Sequence, residues 1–146
     1  MPFRFSLSTV LQVRENIEQR EARNLEQCYV ELSAAQGRLW EAEQNITRAQ
    51  EERAHELRQG IPAYQLQLAL GDEKRLKQLR EDWQKKLQEA QLRLRGQIEI
   101  YKRARQQRET MEELRKQQVE EYQREQLKSE QQERDELYLM RLRSGK

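Results

Sequence analysis

The chain has 146 residues, of which 37% are charged and 35% hydrophobic, and its 28 basic and 26 acidic residues leave a net charge of +2. The small basic excess argues against a nucleic-acid-binding surface, and the apolar content suits one seam along a helix better than a globular core. No apolar run approaches the ~20 residues that span a membrane. Cys28 is the only cysteine, so an intrachain disulfide is excluded. Together with the polar start of the chain, these features predict a cytosolic protein.

Glycine and proline divide the chain into two helical stretches. Gly60 and Pro62 interrupt a sequence rich in Gln, Glu, Arg and Leu, which are strong helix formers. Glycine ends helices in a left-handed cap and proline suits the start of the next, and so short a connection folds the second helix back on the first. We therefore predict an all-α fold, a long antiparallel two-helix coiled-coil hairpin with unequal arms. It forms a single elongated domain over 1–146, with helices at about 8–59 and 63–142 and a turn at 60–62.

The residues before the first helix carry two features. Thr9 and Gln12 have the spacing of a capping box, which predicts that Thr9 is the N-cap. Upstream, the apolar residues Phe3, Phe5 and Leu7 alternate with polar ones. They either pack as a hydrophobic staple or form an exposed, sticky end for a partner.

The first helix carries a heptad pattern of large residues in one layer and small residues in the next. The large residues are Leu25, Leu32, Leu39 and Ile46, and the small ones are Cys28, Ala35, Ala42 and Ala49. Small residues predict close approach of the partner helix, with Tyr29 and Trp40 covering the seam. Nearer the start, Val10, Val13 and Ile17 predict a shift of phase, a stutter.

The second helix carries the matching seam. One series is Leu76, Trp83, Ala90, Gln97, Ala104, Met111 and Gln118, and its companion series is Leu87, Leu94, Tyr101, Arg108, Arg115 and Tyr122. Polar residues enter the seam after Tyr101, which predicts weak packing there, because buried polar groups cost stability unless they are paired. The unequal lengths predict that the first arm reaches only to about Arg115, leaving the last ~25 residues as a single helix that is marginal in water.

The segment after the turn is ambiguous. Tyr64, Leu66, Leu68 and Leu70 alternate with polar residues, as in a strand, but one short strand has no partner, so a continuing helix is favoured. Its apolar residues either wrap the hairpin tip or present a docking patch.

Residues for catalysis or metal binding are sparse. His55 is the only histidine and lies among glutamates, as expected of a solvent-facing residue. Paired carboxylates such as Glu112 and Glu113 are typical of a charged helix face, and a phosphate-binding loop is absent from the sequence. Residues 102–108 form the densest basic run, either a solvated face or a contact for an acidic partner. We expect no enzyme activity, cofactor, metal or small-molecule ligand.

Several stretches of this chain resemble the FliJ family, the small cytosolic coiled-coil proteins of the flagellar type III export apparatus. The most distinctive is residues 3–15, of the form Phe-Arg-Phe-Ser-Leu-x-x-Val-Leu-x-Val-Arg-Glu. Residues 101–104, 111–115 and 120–122 resemble the family's second helix, and 135–137 with Arg141 resemble its C-terminal end.

The resemblance implies a non-enzymatic stalk. It implies that the end carrying both termini inserts into the ring of the export ATPase FliI and promotes its activity, and that the protein contacts the export gate FlhA and export chaperones. It further implies a cytoplasmic protein held at the inner membrane through the apparatus. The implied ring-contact residues are Phe3, Phe5, Leu7, Val10, Leu11, Arg14, Met111, Arg115, Tyr122, Leu137 and Met140. The implied gate-contact residues are Tyr64, Leu66, Leu68 and Leu76.

Other interpretations remain open at the level of sequence. The nearest is the equivalent stalk of injectisome type III secretion. A plain coiled-coil scaffold, built as a parallel dimer, explains the heptads equally well. A secretion chaperone or an RNA-binding helix pair fits less well, since the first usually has a globular domain and the second requires phosphate contacts.

Overall fold

Two long helices make up nearly all of the protein. The computed structural model describes residues 3–145; the predicted domain over 1–146 also includes Met1, Pro2 and Lys146, which lie outside the described residues. Helix α1 spans Ser8–Gln59 (52 residues) and helix α2 spans Ala63–Ser144 (82 residues). The prediction of an all-α fold with two helices that pack against each other is confirmed.

The chain divides into two compact units. The terminal unit consists of Met1–Arg20 and Lys102–Lys146, and the middle unit of Glu21–Tyr101. Each unit combines a segment of α1 with a segment of α2.

The turn in the middle unit confirms the predicted roles of glycine and proline. Gly60 has a φ of 83°, in the left-handed region that L residues with a side chain rarely adopt. The Pro62 carbonyl accepts hydrogen bonds from the backbone amides of Gln65 (3.1 Å) and Leu66 (3.3 Å), which starts α2. The alternative of a strand at residues 64–70 is excluded, since these residues are helical.

Substitution of Gly60 should test this turn. We expect Gly60→Ala to lower the free energy of unfolding by about 1 kcal/mol, because alanine is strained at positive φ. Gly37→Ala is the matched control, since a Cβ there meets no atom within 4 Å and the helix is ordinary. It should stabilise by up to about 1 kcal/mol through helix propensity. Urea unfolding followed by circular dichroism measures both, and a shift of the same sign in both variants would contradict the assigned turn.

In the middle unit, the predicted large-and-small seam is confirmed. Ala35, Ala42 and Ile46 of α1 are only 3–5% exposed, and Ala90 of α2 is 2% exposed. Leu25, Leu32 and Leu39 are partly buried on the same face, as are Leu87 and Leu94 of α2. These contacts bury the apolar surface that stabilises the helix pair.

Two details of this seam were predicted wrongly. Tyr29 and Trp40 do not cover the seam, because their side chains are 51% and 62% exposed. Each follows a seam residue directly, so it points about 100° away from the partner helix. Trp83, by contrast, is partly buried, with the Lys86 Nζ 4.4 Å from its ring centroid.

The predicted stutter at the start of α1 is also wrong. Of the three residues that predicted it, Val10 and Val13 are 40% and 49% exposed and only Ile17 is partly buried, whereas Leu11 is buried. The heptad pattern instead continues unchanged toward the start of α1. Glu18 lies seven residues before Leu25, and Glu21 and Arg14 lie seven and fourteen residues before Cys28. All three side chains are buried or partly buried. Charged side chains occupy these positions because each has a partner on α2, described below.

The start of α1 differs from the predicted capping box. The Leu7 carbonyl accepts the hydrogen bond of the Leu11 amide (2.9 Å), and the helix begins at Ser8. Thr9 is therefore a residue of the first turn and not the N-cap. The Ser8 amide donates to the Phe5 carbonyl (3.1 Å), which holds the preceding turn against the helix.

Candidate interaction surfaces

The segment before α1 packs onto α2 within the terminal unit. Phe5 is buried, and the ring of Phe3 lies 5.5 Å from that of Tyr122 at an interplanar angle of 52°. Such tilted aromatic pairs are favourable. For Phe3 and Phe5 the structure therefore favours packing over a free, sticky end, whereas Leu7 remains 37% exposed.

An ion pair occupies the seam of the terminal unit. The Arg108 guanidinium donates to both carboxylate oxygens of Glu18, at 2.5 Å and 3.2 Å, and to Glu112 at 2.8 Å. The Arg14 guanidinium donates to Gln107 at 2.7 Å. The predicted weak packing of a polar seam is therefore wrong at Arg108, because its charge is neutralised by two carboxylates. Arg115, seven residues later, is exposed.

The Arg108 pair also changes the acid–base properties of Glu18. The hydrogen bond from Arg108 lowers the pKa of the Glu18 carboxyl below its ordinary value of 4.5, against an opposing contribution from desolvation. The same hydrogen bond raises the pKa of Arg108. Both groups therefore stay charged at neutral pH.

The lowered pKa of Glu18 predicts a pH-dependent contribution to stability. A carboxyl whose pKa is lower in the folded protein stabilises it fully above the unfolded value, here 4.5, and the contribution is lost as pH falls through the folded pKa. We expect Glu18→Gln to lower the free energy of unfolding by about 1–2 kcal/mol at pH 7 and by less at pH 3. Urea unfolding of both proteins at the two pH values measures the difference. An equal difference at pH 3 and pH 7 would contradict the assignment.

The last part of α2 is solvent-exposed along its whole described length. Residues 123–145, in the terminal unit, are all exposed, in agreement with the predicted single helix. Large apolar side chains project from it: Leu127, Leu137, Tyr138, Leu139, Met140 and Leu142 are 54–64% exposed. A shallow depression between Leu137 and Met140 is bordered by Glu133 and Glu136.

The implied ring-contact residues fall into two groups, all in the terminal unit. Leu7, Val10, Arg115, Leu137 and Met140 are exposed. Phe5 and Leu11 are buried, and Phe3, Arg14, Met111 and Tyr122 are partly buried. The second group supports the helix pair, and the first is free to meet a partner.

A second apolar surface lies beside the turn of the middle unit. Of the implied gate-contact residues, Tyr64 and Leu68 are 62% and 65% exposed, while Leu66 and Leu76 are partly buried. Leu70, which the sequence placed in a possible docking patch, is 47% exposed, and Leu57, which it did not single out, is 50% exposed. This surface, residues 57–70, is called the turn surface below.

A buried carboxylate lies in the seam next to the turn surface. Glu73 is only 5% exposed and accepts hydrogen bonds from Arg53 and, at 3.0 Å, from Gln50, while Lys77 lies 3.4 Å away. The hydrogen bond from Gln50, followed by that from Lys77, lowers the pKa of Glu73. Sequence reasoning missed Glu73, although it lies in heptad phase seven residues before Arg80 and fourteen before Leu87.

Neither surface contains a histidine or a cysteine. Among residues 3–145 there is no group of three or more His, Cys, Asp or Glu that could hold a metal ion. His55 is exposed on α1, and Cys28 is partly buried in the seam. Within the described residues, no helix is long and apolar enough to cross a bilayer.

Comparison with known proteins identifies the family. The family model described as Flagellar FliJ protein matches residues 3–146, which is nearly the whole chain. No curated protein and no solved structure matches. Two packed helices agree with a family of coiled-coil components of the flagellar export apparatus. The chain therefore belongs to the FliJ family.

Proposed function

We propose that this protein is the stalk of the flagellar export ATPase. In this proposal the terminal unit inserts into the ring of FliI and stimulates ATP hydrolysis, and the turn surface contacts the export gate FlhA. Export chaperones are further partners, and these contacts hold the cytoplasmic protein at the inner membrane. The observation that carries the proposal is the exposed part of α2, residues 123–144, whose large apolar side chains lie in solvent within a member of the FliJ family.

The energetics of that helix support a partner in the terminal unit. A single helix of this length gains little from packing and is marginal in water. Leu137 and Met140 are 57% and 64% exposed, and burying such side chains stabilises a complex by roughly 1.5–3 kcal/mol each. A ring that encloses this helix supplies that burial.

Titration of the full chain into the cognate FliI tests the proposal. We expect ATP hydrolysis to rise with added protein and the fraction of FliI in rings, measured by sedimentation, to rise in parallel. Absence of both effects under conditions where the two proteins are shown to bind would contradict the stalk assignment.

The gate contact has its own test at the turn surface. We expect Tyr64→Ala and Leu68→Ala to weaken binding to the purified cytoplasmic part of FlhA, each by roughly ten-fold, the factor that corresponds to burial worth about 1.4 kcal/mol. Leu92→Ala is the matched control, since Leu92 is also 65% exposed and lies on the same helix of the middle unit. Equal loss in Leu68→Ala and Leu92→Ala, or no loss in either turn-surface variant, would count against this contact.

The main rival is a parallel dimeric scaffold. In a parallel, in-register coiled coil each seam residue faces its own copy, so Glu18 would face Glu18 and Arg53 would face Arg53. Burying like charges together is costly, whereas the observed fold pairs Glu18 with Arg108 and Arg53 with Glu73. We therefore expect a monomer in sedimentation at micromolar concentration, and a stable dimer would favour the scaffold.

A further inference from the structure

Charged pairs interrupt the apolar seam at defined heptad positions. In the middle unit Arg53 pairs with Glu73, and Gln97 donates to the Glu21 carboxylate at 2.6 Å and to its carbonyl at 3.2 Å. We propose that these polar layers act as a register key, selecting one alignment of α1 against α2 from among alignments that the apolar residues do not distinguish.

The apolar residues alone leave the register ambiguous. Leu25, Leu32 and Leu39 repeat every seven residues on α1, and Leu87 and Leu94 do so on α2. In the register in which Arg53 pairs with Glu73, Leu32 faces Leu94 and Leu39 faces Leu87. The slide of one heptad that brings Arg53 opposite Leu66 places Leu25 opposite Leu94 and Leu32 opposite Leu87, so it keeps two leucine pairs while Leu39 moves opposite Arg80. Hydrophobic burial, which is not directional, therefore changes little between the two alignments.

The charged residues distinguish the alignments sharply. A slide of one heptad in one direction places Glu73 opposite Ile46 and Arg53 opposite Leu66. Arg53 then loses its carboxylate partner, and Glu73 keeps only Lys77 of its own helix. A slide in the other direction places Arg80 opposite Arg53. The Arg80 Nε is already buried and without a hydrogen-bond partner, so a second arginine at that layer adds repulsion. Removing the partner of a buried charge is strongly destabilising, so both slides are disfavoured.

The turn does not by itself hold the register. Residues 54–59, the last residues of α1, and Gly60 of the turn are all exposed and bury little surface. Unwinding these residues therefore breaks few contacts. The unwound residues then make the connection long enough for a slide that brings Arg53 opposite Leu66. The seam next to the turn must resist that slide.

The terminal unit also has a charged pair in its seam, with the two charges exchanged between the helices. There the carboxylate is on α1 and the guanidinium on α2, in the pair of Glu18 with Arg108. In this unit Phe3 contacts Tyr122, and every described residue beyond it is exposed. The register therefore determines where the single helix begins, and a slide of one heptad would move that point by about 10 Å.

Disulfide trapping tests the key in the middle unit. The pairs of Glu31 with Arg93 and Arg53 with Glu73 place Ala35 and Ala90 at about the same level of the seam, so Ala35→Cys with Ala90→Cys, in a Cys28→Ala background, reports the observed alignment. The native Cys28 with Ala90→Cys reports the alignment shifted by a heptad. The yield of intramolecular disulfide under mild oxidation is measured for both reporters, with helicity checked by circular dichroism.

We expect Glu73→Leu to raise the ratio of shifted to observed cross-link by about ten-fold, since it removes the partner of Arg53 and lets the introduced leucine side chain meet Ile46. The exchanged pair, Arg53→Glu with Glu73→Arg, should give the same ratio of shifted to observed cross-link as the protein with the native Arg53 and Glu73. Glu73→Gln is the milder variant, with a smaller rise in the same direction. An unchanged ratio in Glu73→Leu and Glu73→Gln, or an equal rise in the exchanged pair, overturns the register key.

Discussion

A chain that ends at Gln123 will fail to stimulate FliI while its remaining helices stay folded. This truncation removes the exposed part of α2 and leaves the contacts that hold the terminal unit together. Those are the ring contact of Phe3 with Tyr122 and the ion pair of Glu18 with Arg108. Because residues 124–145 are exposed throughout, their loss removes little buried surface from the chain itself. ATP hydrolysis measured against protein concentration gives the loss, and urea unfolding shows whether stability is retained.

Point variants separate the role of the apolar side chains from that of helix length. Leu137→Ser and Met140→Ser should each raise the concentration needed for half-maximal stimulation by roughly ten-fold, because each side chain loses burial worth about 1.5 kcal/mol or more. Gln132→Ser, at an exposed polar position of the same helix, is the control and should have little effect. Full stimulation of ATP hydrolysis by the truncated chain would contradict the proposal that this helix enters the ring. A chain that ends at Gln118 also removes Tyr122 and is the poorer test.

The features of the fold that follow from local rules were predictable from the sequence. Gly60 adopts the left-handed conformation because glycine lacks the Cβ that forbids it. Ala35, Ala42 and Ile46 lie in the seam because their heptad spacing places them on one helix face. These inferences need only one helix at a time.

The features that depend on the partner helix were not predictable in the same way. Glu18 was not placed in the seam because a carboxylate at a heptad position is ordinarily assigned to solvent. Its partner Arg108 lies 90 positions away in sequence. The exposed valines Val10 and Val13 then suggested a false change of phase. Both Glu18 and Glu73 can be found from the sequence in two steps. The heptad positions are extended through charged residues, and each charged position is then compared with the opposite charges on the other arm.

The candidate contact surfaces were predictable only as apolar positions, and their exposure was not. Phe5 and Leu7 are two residues apart in the same alternating segment, yet Phe5 is 7% exposed and Leu7 is 37% exposed. The difference arises in the turn before α1, which the Ser8 amide closes onto the Phe5 carbonyl. Composition and spacing do not specify that turn.

Ala90→Asp should cause the largest loss of stability among single substitutions in the middle unit. Ala90 is 2% exposed, so a carboxylate there is removed from water in the apolar part of the seam. A position that buries the small alanine side chain so fully also leaves no room for a larger one without separating the helices. We expect the free energy of unfolding to fall by about 3 kcal/mol, a large fraction of the total for a protein whose core is one seam.

The control for this variant is Gln91→Asp, one position along the same helix and exposed. It carries the same new charge and a similar loss of helix propensity, of about 0.5 kcal/mol or less, so the difference between the two variants isolates the cost of burial. Urea unfolding followed by circular dichroism measures both at pH 7. The deficit of Ala90→Asp should shrink as the pH falls below about 4, because a buried carboxyl is less costly when protonated. If the two variants unfold at the same urea concentration, α1 and α2 do not pack at Ala90 in solution, and the hairpin register described above loses its basis.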